Sequence, residues 1–152
     1  MTRLQNIVAY LCYHYPHKHE LSKARITKLV YLADWFSSLL DDEQMTDIRW
    51  VFNHYGPYVD DVVDSVKHCR GFSVIAQENP YGATKYLVEY SGDHRRIDLS
   101  DRDEQILDAV IKKTKSMYFN AFIDYVYSTY PVTSSDRYAA LDLVSLAREF
   151  RG

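Results

Sequence analysis

Apolar side chains return every three or four residues from Leu4 through Ile7, Val8, Leu11 and Cys12, the period of one helix face. Thr2 and Gln5 form a capping-box pattern ahead of this run, and Pro16 ends it. The polar stretch His17-Lys18-His19-Glu20 reads as a loop, and Ser22 then stands where an N-cap belongs, before a second helix reaching to about Leu40. Counted at about 100° per residue, Ile26, Leu29, Val30, Ala33, Phe36 and Leu40 fall on one side of it. Tyr31, Asp34, Trp35 and Ser38 fall roughly opposite, with Leu32 and Leu39 between. A helix with large apolar residues on nearly every side is buried between other elements. It is too short, and too interrupted by Lys28 and Asp34, to span a bilayer. The pattern predicts a central helix with the rest of the domain wrapped around it, or with one aromatic face left for a partner.

Past the acidic break Asp41-Asp42-Glu43-Gln44, the β-branched and aromatic run from Ile48 to Tyr55 predicts a strand. Gly56-Pro57 closes it, with Pro57 suited to the first turn of a helix whose apolar ladder is Val59, Val62, Val63 and Val66. Asp60 and Asp61 complement the dipole of that helix, and Gly71 is placed to stop it. Phe72 to Gln77 and Thr84 to Tyr90 form a hairpin around Asn79-Pro80-Tyr81-Gly82, and Arg95 to Leu99 suggest a short edge strand. Ser100 caps a helix with Asp101, Asp103 and Glu104 at its start and Lys112, Lys113 and Lys115 at its end. Phe119 to Tyr130 keep helix spacing until Pro131, residues 132–137 read as a loop, and residues 142–151 form a last helix with Leu143, Leu146, Ala147 and Phe150 inward. The sum is an α+β fold: a mostly helical single domain over residues 1–152 around a central buried helix, with a small antiparallel sheet inserted mid-chain.

Length and composition change this picture little. The 152 residues can bury a real core, and the apolar and charged fractions, 47% and 26%, are those of an ordinary globular protein. A net charge of −3 argues against nucleic acid or an anionic membrane as partner. No apolar leader opens the chain, and the two cysteines, Cys12 and Cys69, lie far apart in helix-like segments, which suits reduced thiols in the cytoplasm. Tyrosine is the outlier, with fourteen residues; its apolar body and polar tip suit core margins and protein interfaces.

Candidate chemistry is sparse. His14, His17 and His19 straddle a helix end and a proline, with no carboxylate or thiolate spaced to complete a metal site, so no metal is expected. Arg49 and His54 resemble the arginine–histidine pair of some RNA-cleaving helical toxins, in which both side chains reach one phosphate. On a strand, odd and even positions face opposite sides, which argues against that pairing here. No Asp-x-Lys or Glu-x-Lys of a metal nuclease occurs, nor a Gly-rich phosphate loop, a Gly-x-Ser-x-Gly elbow or Cys-x-x-Cys. Asp98, Asp101 and Asp103 are explained by helix N-terminal charge. Lys23, Arg25 and Lys28, Arg95-Arg96, and Lys112-Lys113-Lys115 are dispersed basic patches without a helix-turn-helix. No cofactor is implied.

Thr27-Lys28-Leu29-Val30-Tyr31-Leu32-Ala33-Asp34-Trp35, followed about twenty residues later by His54-Tyr55-Gly56-Pro57 and an acidic amphipathic helix, resembles the Panacea family of SocA-like antitoxin domains, which also includes phage-associated proteins. Lys28, Leu29, Tyr31, Ala33, Asp34, Tyr55, Gly56 and Pro57 match the family pattern in order and spacing. The resemblance covers Leu4 to Gly71 and loosens beyond. It departs where a Gly-Arg-Pro-Leu-like turn usually precedes the strand, since Asp41-Asp42-Glu43-Gln44-Met45 stands there instead. The family implies a non-enzymatic antitoxin that neutralises a cognate protein toxin by direct binding, alone or as a homo- or hetero-oligomer with the toxin, in the cytoplasm and away from the membrane. Members pair with toxins of several unrelated classes, and an acidic surface would suit a basic toxin. The candidate toxin-binding residues are Tyr31, Asp34, Trp35, His54, Tyr55, Gly56 and Pro57. Tyr31, Asp34 and Trp35 have a second reading, as core residues with Asp34 accepting hydrogen bonds from backbone or tyrosine groups near the Tyr55-Gly56-Pro57 turn. A DNA-binding regulator is the alternative from another class, and a phosphodiesterase or nuclease the third.

Overall fold

Caps and turns in the sequence set most element boundaries of the structure, a computed structural model that describes all 152 residues. In α1 (Arg3–His14) the Thr2 hydroxyl accepts from the Gln5 N–H while the Gln5 side chain accepts from the Thr2 N–H, closing the expected capping box. A single 3₁₀ turn, Lys18–Glu20, leads to α2 (Lys23–Asp41), whose first turn is capped by the Ser22 hydroxyl accepting from the Arg25 N–H. The chain continues through β1 (Trp50–Asn53), β2 (Gly56–Pro57), α3 (Asp61–Val66), β3 (Phe72–Glu78), β4 (Thr84–Tyr90) and α4 (Asp101–Thr114). It finishes with α5 (Phe119–Ser128), α6 (Tyr130–Thr133), β5 (Ala140–Leu141) and α7 (Leu143–Arg151). Helix α2 is the centre of this α+β domain: α1, α3, α4, α5, α7 and β4 all pack on it, within one cluster of 32 buried hydrophobic residues. No helix is long and apolar enough to cross a membrane.

Several local expectations are corrected. The predicted strand from Ile48 to Tyr55 is only Trp50–Asn53, and Gly56-Pro57 does not close it but pairs back against it, Asn53 with Gly56 and Phe52 with Pro57. His54 and Tyr55 are therefore the two residues of a tight hairpin turn, and the helix begins at Asp61 rather than at Pro57. The other edge of β1 is taken by β5, Trp50 with Leu141 and Val51 with Ala140, which gives a three-stranded antiparallel sheet in the order β2-β1-β5. Gly71 lies beyond the end of α3 and instead opens the β3–β4 hairpin at φ +92°. Arg95 to Leu99 form no strand; the Asp93 carboxylate accepts from the Arg95 N–H and closes a 3₁₀ turn over His94–Arg96. Pro131 starts α6 rather than ending the helix before it, because Thr129 has already turned out of α5. Phe150 is 57% exposed, not inward, lying beside Trp35 and Tyr130 at the rim of the core.

Two attachments hold the outer elements to this centre. The β3–β4 hairpin is fastened at one end, where the Val88 N–H donates to the Leu21 carbonyl at 2.9 Å, and its tip with Tyr81 projects into solvent. Arg25, in the first turn of α2, is buried and donates to the Tyr15 hydroxyl at 2.7 Å, the Thr114 carbonyl at 3.1 Å and the Met117 carbonyl at 2.8 Å. Its guanidinium also stacks 4.5 Å from the Phe122 ring centre, so one side chain binds the start of α2 to the corner between α4 and α5.

Candidate functional site

The motif residues divide sharply by position. Tyr31 is fully buried; its hydroxyl shares a hydrogen bond with the Thr129 hydroxyl at 2.8 Å and its ring meets Trp50 edge-on at 5.6 Å. Burial raises its phenol pKa. Asp34 exposes nothing to solvent. One carboxylate oxygen accepts from the Thr46 N–H at 2.9 Å; the other accepts from the Thr46 hydroxyl at 2.5 Å, the Trp50 indole N–H at 2.8 Å and, more distantly, the Gln44 amide at 3.4 Å. Burial pushes its pKa up to about 6 despite these donors, which pull the other way. Trp35 is buried too, edge-on to Phe150 at 6.1 Å. These three side chains lie in the core. The expectation that Asp34 serves the Tyr55-Gly56-Pro57 turn is also corrected: it organises Thr46 and Trp50, at the entrance to β1.

The hairpin residues are split. Gly56 and Pro57 are buried, and Gly56 stands at φ +95°, with an added Cβ meeting the Tyr127 ring at 3.2 Å; only glycine suits both the dihedral and the space. His54 and Tyr55 stand out at the turn with their rings edge-on at 4.6 Å, and Tyr55 is 75% exposed.

Beside this turn lies a concavity of about 480 Å³. Ala24 and Lys28 of α2 form its floor, and Asn53, His54, Tyr55 and Tyr58 form one wall. Phe119, Ile123 and Tyr127 form the other; spaced by four residues along α5, they line one face of that helix. A second concavity of about 600 Å³ shares Ala24 and Phe119 with the first and continues between α2 and the β3–β4 hairpin, past Lys23, Lys85, Tyr86 and Tyr118. Together they make a trough rimmed by exposed aromatics, with Tyr55 at one end and Tyr118 and Tyr86 towards the other.

Lys28 is the unusual residue of this trough. It is 1% exposed, yet its ammonium makes no hydrogen bond and no ion pair; the face of the Tyr58 ring lies 5.6 Å away. Burial alone pulls its pKa down to about 8. Sequence reasoning counted Lys28 as a motif match and as one of three basic residues opening α2, and did not single out Ala24, Tyr58, Phe119, Ile123 or Tyr127. The signals within reach were a lysine inside a helix apolar on every side and the four-residue spacing on α5. Arg25 and Lys28 are both buried, so neither is presented on the surface to a phosphate backbone, and Lys23 stacks over Tyr86 at 4.3 Å. Arg49 is exposed and lies outside the trough that His54 lines. His14 packs on Tyr10 and His17 faces His19 edge-on at 6.1 Å.

Fold and site together define a helix-centred α+β domain with one concave, aromatic-rimmed face. The chain belongs to the antitoxin SocA-like, Panacea domain family, whose pattern matches residues 26–131. The match begins in α2 and runs well past Gly71, through the hairpin, α4 and α5, so both walls of the first concavity fall inside it. No characterised protein and no solved structure matches the chain.

Proposed function

We propose that this chain is the antitoxin of a toxin–antitoxin system, acting in the cytoplasm without catalysis, and that it neutralises a cognate protein toxin by holding it in the trough between α2, α5 and the His54-Tyr55 turn. The observation that carries this reading is the trough itself, whose rim of exposed tyrosines is continuous with the apolar Phe119–Ile123 wall of α5 inside the part of the chain matched by the antitoxin family. Tyrosines supply large contact area with few rotatable bonds, and binding energy in interfaces concentrates on such aromatic anchors around desolvated pockets. His54 and Tyr55 remain the toxin-binding residues of the motif. Tyr31, Asp34, Trp35, Gly56 and Pro57 act indirectly, by fixing the helix and the hairpin that shape the trough.

Co-expression with the product of the neighbouring gene tests the proposal. The expected result is that the neighbour alone arrests growth, that this chain restores it, and that the two co-purify. A harmless neighbour, or a toxic one that this chain neither rescues nor binds, removes the reading.

A further inference from the structure

The trough differs in sign from the molecule that carries it. The chain totals −3, yet no carboxylate lines the first concavity, and the second holds Lys23 and Lys85 with Glu20 as its one acid. Glu20 faces the buried Arg25 guanidinium, its Oε2 3.5 Å away in an ion pair without a hydrogen bond, so the local acid is offset by that arginine. Lys28 lines the floor, with 1% of its surface exposed and its ammonium making no hydrogen bond or ion pair. The two other charges buried on α2 are hydrogen-bonded: Arg25 is met by a hydroxyl and two carbonyls, and Asp34 by Thr46 and Trp50. An unpaired ammonium in apolar surroundings is destabilising and gains most from an anion brought to it.

We infer that the Lys28 pocket is an anion-recognition site that takes an aspartate or glutamate side chain from an internal segment of the bound toxin, with apolar or aromatic neighbours of that acid lying against Phe119, Ile123 and Tyr55. The inference rests on the antitoxin reading above and specifies the chemistry of the partner. A carboxylate fits better than a phosphate because the pocket offers one buried cation among aromatic walls, without the arginine fork that favours phosphate. An internal segment fits better than a chain terminus because the concavity does not end at Lys28. It opens past Ala24 and Phe119 into the second, where Lys23 and Lys85 can meet a further acid.

Three peptide probes test this on the intact protein by amide chemical-shift titration: acetyl-Phe-Glu-Phe-amide, its glutamine counterpart acetyl-Phe-Gln-Phe-amide, and acetyl-Phe-Phe with a free C-terminal carboxylate. The expected result is shifts at Ala24, Asn53, Phe119 and Ile123, with the glutamate peptide binding at least about tenfold tighter than the glutamine peptide, as a charged hydrogen bond in a desolvated pocket implies. In Lys28→Met that preference disappears. Equal binding of the two internal peptides, tighter binding of the free-terminus peptide, or a preference that survives Lys28→Met each overturns the inference. The comparison of the first two probes needs no variant, so it stands even where Lys28→Met does not fold. A wild-type chain that neutralises its toxin while the probes bind equally loses this inference and keeps the antitoxin reading; a wild-type chain that fails to neutralise loses that reading first.

Discussion

Asp34 and Lys28 are two motif charges buried on one helix, and the fold treats them in opposite ways. Around Asp34 both carboxylate oxygens face donors, supplied by the segment that enters β1. Around Lys28 there is an aromatic face at 5.6 Å and a cavity. Burial moves both pKa values towards the neutral form, Asp34 up to about 6 and Lys28 down to about 8, so burial alone does not separate them. Partnership does. A buried charge with its hydrogen bonds made is part of the scaffold, whereas a buried charge facing a cavity without partners is a place where a ligand gains binding energy.

The largest effect that tests this contrast is Asp34→Ala. Chemical denaturation is expected to show a loss of about 4 kcal/mol, since the Trp50 indole N–H and the Thr46 N–H and hydroxyl are left buried and unpaired. A loss below ~1 kcal/mol would make Asp34 dispensable to the scaffold and erase the distinction from Lys28.

Next comes the pH dependence. The folded-state pKa of Asp34 lies above its value of 3.8 in an unfolded chain, so between those values the native state holds the proton that the unfolded state has lost. Its contribution is fully present below pH ~3.8 and is lost as pH rises through ~6, a change of about 3 kcal/mol. The difference in stability between wild type and Asp34→Asn, followed from pH 4 to pH 7, is expected to shrink in that direction; the difference curve cancels the other carboxylates Asp42, Asp93 and Asp103, whose arginine partners hold their pKa values down.

Lys28→Met sharpens the other side of the comparison. Replacing an unpaired buried cation by an apolar chain of similar length is expected to raise stability by about 2 kcal/mol at pH 7 while weakening toxin association. The gain narrows as pH rises from about 8 to about 10.5, because over that range the native lysine has released its proton while the unfolded one still holds it. A melt lowered to the extent of Asp34→Ala would show that Lys28 is scaffold after all. The smallest effect on the fold belongs to the rim: Tyr55→Ala and Tyr118→Ala should change stability by no more than about 0.5 kcal/mol. Pull-down affinity for the toxin is nonetheless expected to fall roughly tenfold or more for either variant.

Where one stretch of sequence contained its own cause, the element could be read directly. The Thr2–Gln5 and Ser22 caps, the apolar surround of α2, the Ser100–Asp103 helix start and the β3–β4 hairpin are local features, and they stand where expected. The misreadings that shape the site are non-local. Ala140-Leu141 becomes a strand only because β1 offers it an edge, and Gly56-Pro57 becomes one because the His54-Tyr55 turn folds it back. Asp34 was legible as a buried acceptor, but its donors Thr46 and Trp50 were not, because the loop that carries them takes its path from the carboxylate itself. The trough was least visible of all. Its two walls lie more than sixty residues apart in sequence, and Lys28 looks like any helix lysine until α5 closes over it.

The Arg25 anchor has a consequence for how such a trough can change. The wall that α5 supplies is positioned through the carbonyls of Thr114 and Met117, and a carbonyl is indifferent to which side chain its residue bears. The frame is therefore tied to main chain and to the Phe122 ring, and the exposed Phe119 and Tyr118 can be exchanged without loosening it. The exposed lining of the trough can then vary one residue at a time over an unchanged skeleton.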